Sequence, residues 1–314
     1  MLFRKLRNIV EYAFFAPVNR VAQHISFRSA GKLGDILGTL AYRVLRFRRA
    51  ITLDNLRHAF PEKGEAELSR IAAGTYRGYA RAVVEMLWAG GADETELKRI
   101  FLPVNRDVPL NALARGKGLI LLSGHFGSWE LTATSLGLQL GNPVVAIAQP
   151  QRNPYIDRAI HANRNRFGNG TVTMRQSVRE VIRLTREGRI VAMLGDQSGP
   201  KEGVFVEFFG RPAATHRGPA MFSLKNDIPI VMYFILRQRD GTYKVEFEEL
   251  DRSHLVGTAE EKILELTRRH TALLERYIRR YPDHWLWMHK RWKHTAYYRE
   301  QMSQGGATTP GRVA

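Results

Sequence analysis

The stretch Leu119–Glu130, LILLSGHFGSWE, decides how this chain is read. It begins with four apolar residues in a row, the pattern of a strand buried on both faces of a parallel sheet. Gly124 and Gly127 then flank His125, so the backbone is free to turn sharply where a strand gives way to a helix. In open α/β sheets the carboxyl ends of strands are where ligands bind, so His125 stands at a candidate site. Further short apolar runs follow at Val144–Ala148, Thr171–Met174, Ile190–Leu194 and Ile228–Leu236. Between them lie helical patterns at Asn153–Phe167, Val178–Glu187 and about Arg217–Lys225. This alternation predicts an α/β fold with a mostly parallel central sheet flanked by helices. Tyr243–Leu250 alternates as an edge or late strand, and Glu65 to about Ala89 and Glu260–Arg280 read as long helices.

The chemistry of the stretch lies in His125 and Glu130. Five residues apart on one continuous helix, they would point about 140° away from each other. They face each other only if His125 sits on the loop and Glu130 in the first helical turns. A carboxylate on one ring nitrogen would fix the tautomer and leave the other nitrogen as a general base. By residue type alone, a turn-capping His and a surface Glu are the better fit; the strand–Gly–His–Gly–helix context favours the functional reading.

The chain has 314 residues, ordinary globular composition and no cysteine, which excludes a disulfide framework, a thiolate metal site and a Cys nucleophile. No H-x-x-x-H, Walker A or G-x-G-x-x-G pattern is present, so neither a metal site nor nucleotide-cleaving chemistry is expected. The formal charge is +18, and it is uneven. Residues 1–50 hold ten basic and two acidic side chains, and residues 268–299 hold nine and two. Such ends suit polyanionic partners, either nucleic acid or an anionic membrane face.

The first 25 residues separate the two partners only in part. Leu2, Phe3, Leu6, Ile9, Val10 and Phe14 recur near helical spacing among Arg4, Lys5 and Arg7, as in a basic amphipathic helix lying in a membrane interface. The same pattern fits a helix packed on its own domain. The run Arg43–Arg49 (RVLRFRR) favours the membrane. No run reaches the ~20 apolar residues of a spanning helix, and no signal-peptide pattern is evident.

The segment G-H-x-G-x-W-E resembles the H-x-x-x-x-D/E motif of the glycerolipid and lysophospholipid acyltransferase superfamily, most closely the branch of bacterial lipid A late acyltransferases. Four more blocks are similar to that branch, in its order: Asn55-Leu56 with Ala59-Phe60-Pro61, Gly195-Asp196-Gln197, Gly203–Gly210 (GVFVEFFG) with Thr215, and Trp285–Lys293 (WLWMHKRWK). Mycobacterial phosphatidylinositol mannoside acyltransferases share the branch. They carry an acid where this chain has Phe205 and Asp at position 130, so Phe205 and Glu130 point to the lipid A type.

The resemblance implies a membrane-associated acyltransferase that moves a fatty acyl chain from a thioester to a hydroxyl of a lipid A precursor. His125 would deprotonate the acceptor and Glu130 would orient His125. Arg164, which matches an arginine of the branch, would meet the oxyanion, or else lie on a solvated helix face. Asp196 and Gln197 would bind the acceptor sugar, support the site, or form an ordinary turn. No cofactor is implied; the co-substrate would be an acyl carrier protein or coenzyme A thioester. The expected partners are anionic membrane lipid and a glycolipid acceptor, not nucleic acid, at the cytoplasmic face of a bacterial inner membrane, with the protein peripheral or monotopic. Another glycolipid or a lysophospholipid, such as a phosphoinositide mannoside, is the alternative acceptor. The Trp285–Lys293 cluster reads as interfacial aromatics with phosphate-meeting cations or as a nucleic-acid stacking patch. The organisation expected is a membrane-associating segment 1–50, an acyltransferase domain 51–302 and a disordered tail 303–314.

Overall fold

The computed structural model describes residues 2–174 and 177–304. The expected tail beyond Gln304 lies outside the described residues. The chain opens with α1 (Leu2–Ala22), α2 (Phe27–Leu40), a π-helical turn over Ala41–Leu45, α3 (Arg49–Ala59), α4 (Glu65–Trp88) and α5 (Glu94–Ile100). The α/β part follows: β1 (Phe101–Pro103), α6 (Asp107–Leu113), β2 (Leu119–Ser123), α7 (Trp129–Leu140), β3 (Val144–Ala148), α8 (Pro154–Arg164), β4 (Gly170–Thr173), α9 (Ser177–Arg186) and β5 (Ile190–Leu194). A hairpin of β6 (Val204–Phe208) and β7 (Arg211–Thr215) precedes α10 (Gly218–Asn226), β8 (Ile230–Arg237), β9 (Tyr243–Glu249), α11 (Ala259–Arg280) and α12 (Thr295–Ser303).

The seven-stranded sheet has the order β1-β9-β8-β2-β5-β3-β4. Strands β8, β2, β5, β3 and β4 are parallel, while β9 runs antiparallel to β8 and takes β1 beside it. The mostly parallel sheet flanked by helices is therefore present. Every residue of β2 is buried, as its unbroken apolar run requires. Apolar residues on one face of the sheet pack with α10, α11 and the β6–β7 hairpin, and those on the other with α4, α5 and α7. Strand β9 is an internal neighbour of β8 because the three-residue β1 covers its far side.

Position β2–β5 in the sheet decides the geometry of the site. Leu119–Ser123 pair in register with Ile190–Leu194, and the ladder runs one step further, with the Gly195 amide donating to the Ser123 carbonyl at 2.9 Å. The loops that leave these two strands therefore emerge side by side.

The N-terminal helices are packed on the domain. Helix α2 lays its small face, Ala30, Gly31, Gly34 and Gly38, on α4. An ion pair of Arg81 with Asp35 adds to that contact. Helix α1 packs on α4 and α8, burying Asn8 and Ala22. Asn153, which caps α8, also donates its side-chain amide to the Asn8 carbonyl and the Glu11 carboxylate, both at 2.9 Å. The outer faces of both helices expose Phe3, Leu6, Phe14, Val18, Ile36 and Leu40. Among the described residues no helix is long and apolar enough to cross a membrane.

Candidate active site

His125 leaves β2 on the loop before α7, as expected, but the carboxylate against its ring is Asp196. The ring Nδ1 and Asp196 Oδ1 are 2.8 Å apart, and the backbone N–H of His125 donates to Oδ2 at 2.9 Å. Trp285 Nε1 donates to the same Oδ2 at 2.9 Å. One carboxylate thus accepts three hydrogen bonds, two of them from a single residue. Asp196 reaches this place because it follows β5 as His125 follows β2.

The turn depends on its glycines. A Cβ on Gly124 would lie 3.0 Å from Asp196 Cβ, which would push the carboxylate away. Gly127 has φ +61, and a Cβ there would lie 2.3 Å from the Ile235 carbonyl oxygen. A side chain at 127 would be both strained and blocked.

The electrostatics follow from the contacts. Burial opposes charge on Asp196, but the His125 ring and its two hydrogen bonds, with Trp285, hold the carboxyl down at about 2. Burial likewise opposes the charged imidazole, yet Asp196 and, more weakly, Glu130 raise His125 above its ordinary value. With the proton on Nδ1 facing Asp196, Nε2 carries the lone pair. Gln197 Nε2 lies 3.2 Å from it, placed to donate an amide hydrogen. The His125 side chain is 19% exposed, so this edge is reachable.

Glu130 does not hold His125 by a hydrogen bond. Its two oxygens take the guanidinium fork of Arg164, with Nε–Oε2 at 2.9 Å and Nη2–Oε1 at 2.6 Å. The expected His125–Glu130 contact gives way because Arg164, at the end of α8, reaches the first turn of α7 and claims both oxygens. The solvated-face reading of Arg164 also fails, since its side chain is only 9% exposed. The Glu130 charge acts on His125 through space.

Two aromatic residues complete the wall. Trp129 lies 5.2 Å from His125 between ring centroids, and Tyr79 stacks on Trp129 at 5.8 Å. Burial and the Glu130 charge raise the Tyr79 hydroxyl above its ordinary value, while the Arg48 charge acts to lower it.

The Trp285–Lys293 segment is a strap rather than a surface patch. Trp285, Trp287, Arg291 and Trp292 are buried, and of its cations only Lys290 and Lys293 face solvent. Both surface readings of its aromatics are corrected by this burial. The Gly127 amide donates to the His284 carbonyl, which ties the strap to the turn that carries His125. Asn55 donates to the carbonyls of Trp287 at 2.8 Å and His289 at 3.0 Å. Arg291 donates to Thr215 Oγ1 at 2.6 Å, and Trp292 to the Phe208 carbonyl at 3.2 Å. His289 Nε2 accepts the Ser198 amide at 3.0 Å; burial pushes its pKa down to about 4, so it is neutral as that acceptor role requires. The motif blocks that lack reactive groups are therefore the parts that clamp the strap behind Asp196. Among the described residues no three His, Asp or Glu side chains gather where they could hold a metal ion.

Comparison with known proteins agrees with this architecture. The chain is 26% identical over 265 residues to the lipid A biosynthesis lauroyltransferase of Escherichia coli, covering 83% of this chain and 84% of that one. It is 25% identical over 270 residues to the lipid A biosynthesis palmitoleoyltransferase of the same organism, with the same coverage. A phosphatidylinositol mannoside acyltransferase of Mycolicibacterium smegmatis is 25% identical over 222 residues, 68% of this chain and 69% of that one. The profile of the bacterial lipid A biosynthesis acyltransferases matches residues 2–294, and the chain belongs to that family of acyltransferases.

Proposed function

We propose that the protein transfers a fatty acyl chain from an acyl carrier protein or coenzyme A thioester to a hydroxyl of a lipid A precursor, with His125 as general base. The observation that carries this reading is the His125–Asp196 pair at the carboxyl ends of two adjacent parallel strands, with Nε2 turned to an accessible edge. The acceptor hydroxyl takes the place of the Gln197 amide at Nε2 and gives up its proton there. Its oxygen attacks the thioester carbonyl; the tetrahedral intermediate collapses with cleavage of the C–S bond, and the imidazolium returns the proton to the thiolate. The negative Asp196 stabilises the imidazolium in between. No covalent acyl-enzyme is needed, because the thioester is already activated.

Glu130 and Arg164 are assigned to positioning, with a share in electrostatics. Arg164 Nη1 has no acceptor among the described residues and is the group proposed to meet the oxyanion. The exposed apolar faces of α1 and α2, interleaved with Arg4, Lys5 and Arg7, support peripheral attachment to the cytoplasmic face of an inner membrane. Phe205, stacked on Tyr298 with ring centroids at 4.6 Å, stands where the mannoside enzymes have an acid, which favours the lipid A acceptor.

Mass spectrometry of lipids from cells with and without the gene tests the assignment. A lipid A species that loses one acyl chain on deletion, and regains it with the parent gene but not with a His125→Ala copy, is the expected result. Loss of an acyl chain from a mannoside or a lysophospholipid product instead would overturn the acceptor assignment.

A further inference from the structure

Arg43, Arg46 and Arg48 are exposed, and among the described residues no carboxylate pairs with any of them. Some exposed arginines, such as Arg57, Arg115 and Arg183, have acidic partners, and others, such as Arg28, Arg99 and Arg106, have none among the described residues, so the feature particular to these three is their backbone. The backbone that presents them is irregular. The π-helical turn Ala41–Leu45 leads into two non-glycine residues in the left-handed region, Arg46 at φ 50 and Arg48 at φ 56. Left-handed backbone at such residues is unfavourable and persists where the surroundings enforce it. Here the Tyr76 hydroxyl holds the Phe47 carbonyl, Thr52 holds the Arg48 carbonyl, and Arg49 lies over the Tyr42 ring at 4.5 Å. The outcome is Phe47, 61% exposed, held between two arginines.

The turn also borders the reaction centre. Arg48 Nη1 is 3.4 Å from the Met288 carbonyl, one residue before His289, which accepts the Ser198 amide next to Gln197. Exposed Val44 and Leu45 continue the apolar face of α2 up to this point. The turn thus stands where an apolar surface meets the mouth of the site.

We propose that the Arg43–Arg49 turn is a binding subsite for a phosphate group of the acceptor glycolipid, with Arg46 and Arg48 as the phosphate ligands and Phe47 seated in the acyl region beside it. The inference rests on the acyl-acceptor reading above and names how that acceptor is gripped. Three unpaired guanidinium groups on a fixed loop suit a phosphate, which accepts paired N–H donors. The loop positions the lipid so that one hydroxyl falls at His125, so the subsite contributes mainly to acceptor binding and not to the chemical step.

The test uses Arg46→Asn and Arg48→Asn, because asparagine tolerates left-handed backbone and carries no charge. Kinetics are measured in detergent with two probes: a phosphorylated lipid A precursor, and the same lipid stripped of phosphate by phosphatase. Each variant is expected to raise KM for the phosphorylated lipid about tenfold or more while kcat holds, since charge-assisted hydrogen bonds have that magnitude. For the stripped lipid, KM is expected to be high already and unchanged by the substitutions. Arg48→Lys should restore part of the affinity and Arg48→Asn should keep its thermal midpoint. Equal losses with both lipids, or unchanged KM, overturn the proposal. Lost sedimentation with phosphatidylglycerol vesicles at unchanged KM also overturns it, and assigns the arginines to the bulk membrane. Equilibrium binding of the phosphorylated lipid separates the two readings. A parent protein that binds it through Arg46 and Arg48 but acylates nothing would sink the acyltransfer reading and retain the subsite.

Discussion

His125 and Asp196 form a coupled buried pair, and their pH behaviour has a definite sign. In the proposed role of base, His125 would work only when neutral, and Asp196 raises its pKa above the ordinary 6.5. The acid limb of kcat/KM is therefore expected above pH 6.5 in the parent. In Asp196→Asn, burial acts without the opposing carboxylate, so the limb should move to lower pH while the plateau falls about 10²-fold or more. A limb that stays in place would remove Asp196 from the role of partner. The stability terms run in opposite windows. The raised His125 stabilises the fold below its unfolded pKa and loses this as pH rises through the folded value. Asp196, lowered from 3.8 to about 2, stabilises above the higher figure and loses this as pH falls toward the lower. At this scale the sequence marks His125 through its glycines and the strand before it. The sequence also places Asp196 at the end of a strand, but nothing in the local pattern says that β5 lies beside β2. That adjacency is a matter of strand order, set by the whole sheet. Glu130, five residues away in sequence, is the nearer choice on paper and the wrong hydrogen-bond partner in space.

At the scale of elements, the Glu130–Arg164 fork ties the first turn of α7 to the last turn of α8, and thereby steadies the loop that carries His125. Breaking a largely buried ion pair by neutralising one partner leaves the other charge stranded, typically about 3 kcal/mol or more. Glu130→Gln and Arg164→Gln are each expected to lower stability by that order, and the double substitution by distinctly less than the sum. Chemical denaturation of all four proteins measures this coupling. Additive losses would show that the fork contributes nothing as a pair. Catalysis should not follow stability in the same cycle. If Arg164 Nη1 meets the oxyanion, the double variant regains stability without regaining kcat. The secondary elements that border this clamp were readable because α8 has Asn153 and Pro154 at its start and β3 is a bare apolar run. The β6–β7 hairpin is not, because GVFVEFFG is held by Trp292 and His58, and Ala214 of β7 by Arg291, all from distant parts of the chain. For the same reason the buried Trp285–Lys293 strap reads as a surface cluster. Three tryptophans among cations look interfacial until Asp196, Pro282 and Phe208 supply acceptors for their indole N–H groups.

At the scale of the whole molecule, the charge and the exposed apolar residues belong to one surface problem. The N-terminal helices are anchored on the domain by Asn8, Ala22 and the small face of α2, so removing residues 1–25 would strip cover from Met86, Leu87 and Ile160 as well as from any membrane contact. A cleaner test changes only what faces outward. Phe3 is 89% exposed and Phe14 74%, and neither side chain supports the core. Moving such a ring from water into an apolar phase is worth about 1.5–3 kcal/mol. The combined Phe3→Glu and Phe14→Glu variant is therefore expected to lose most of its sedimentation with anionic phospholipid vesicles. Its circular dichroism and thermal midpoint should match the parent, and its turnover of detergent-dispersed acceptor should stay within about threefold. Salt separates the two contributions to binding. Screening shortens the reach of Arg4, Lys5 and Arg7 but leaves the aromatic insertion intact, so the parent should remain partly bound at about 1 M salt, where the Debye length is about 3 Å. If the variant still sediments with vesicles at low salt and the parent is fully released at high salt, attachment is electrostatic alone. The exposed apolar faces of α1 and α2 would then need another occupant.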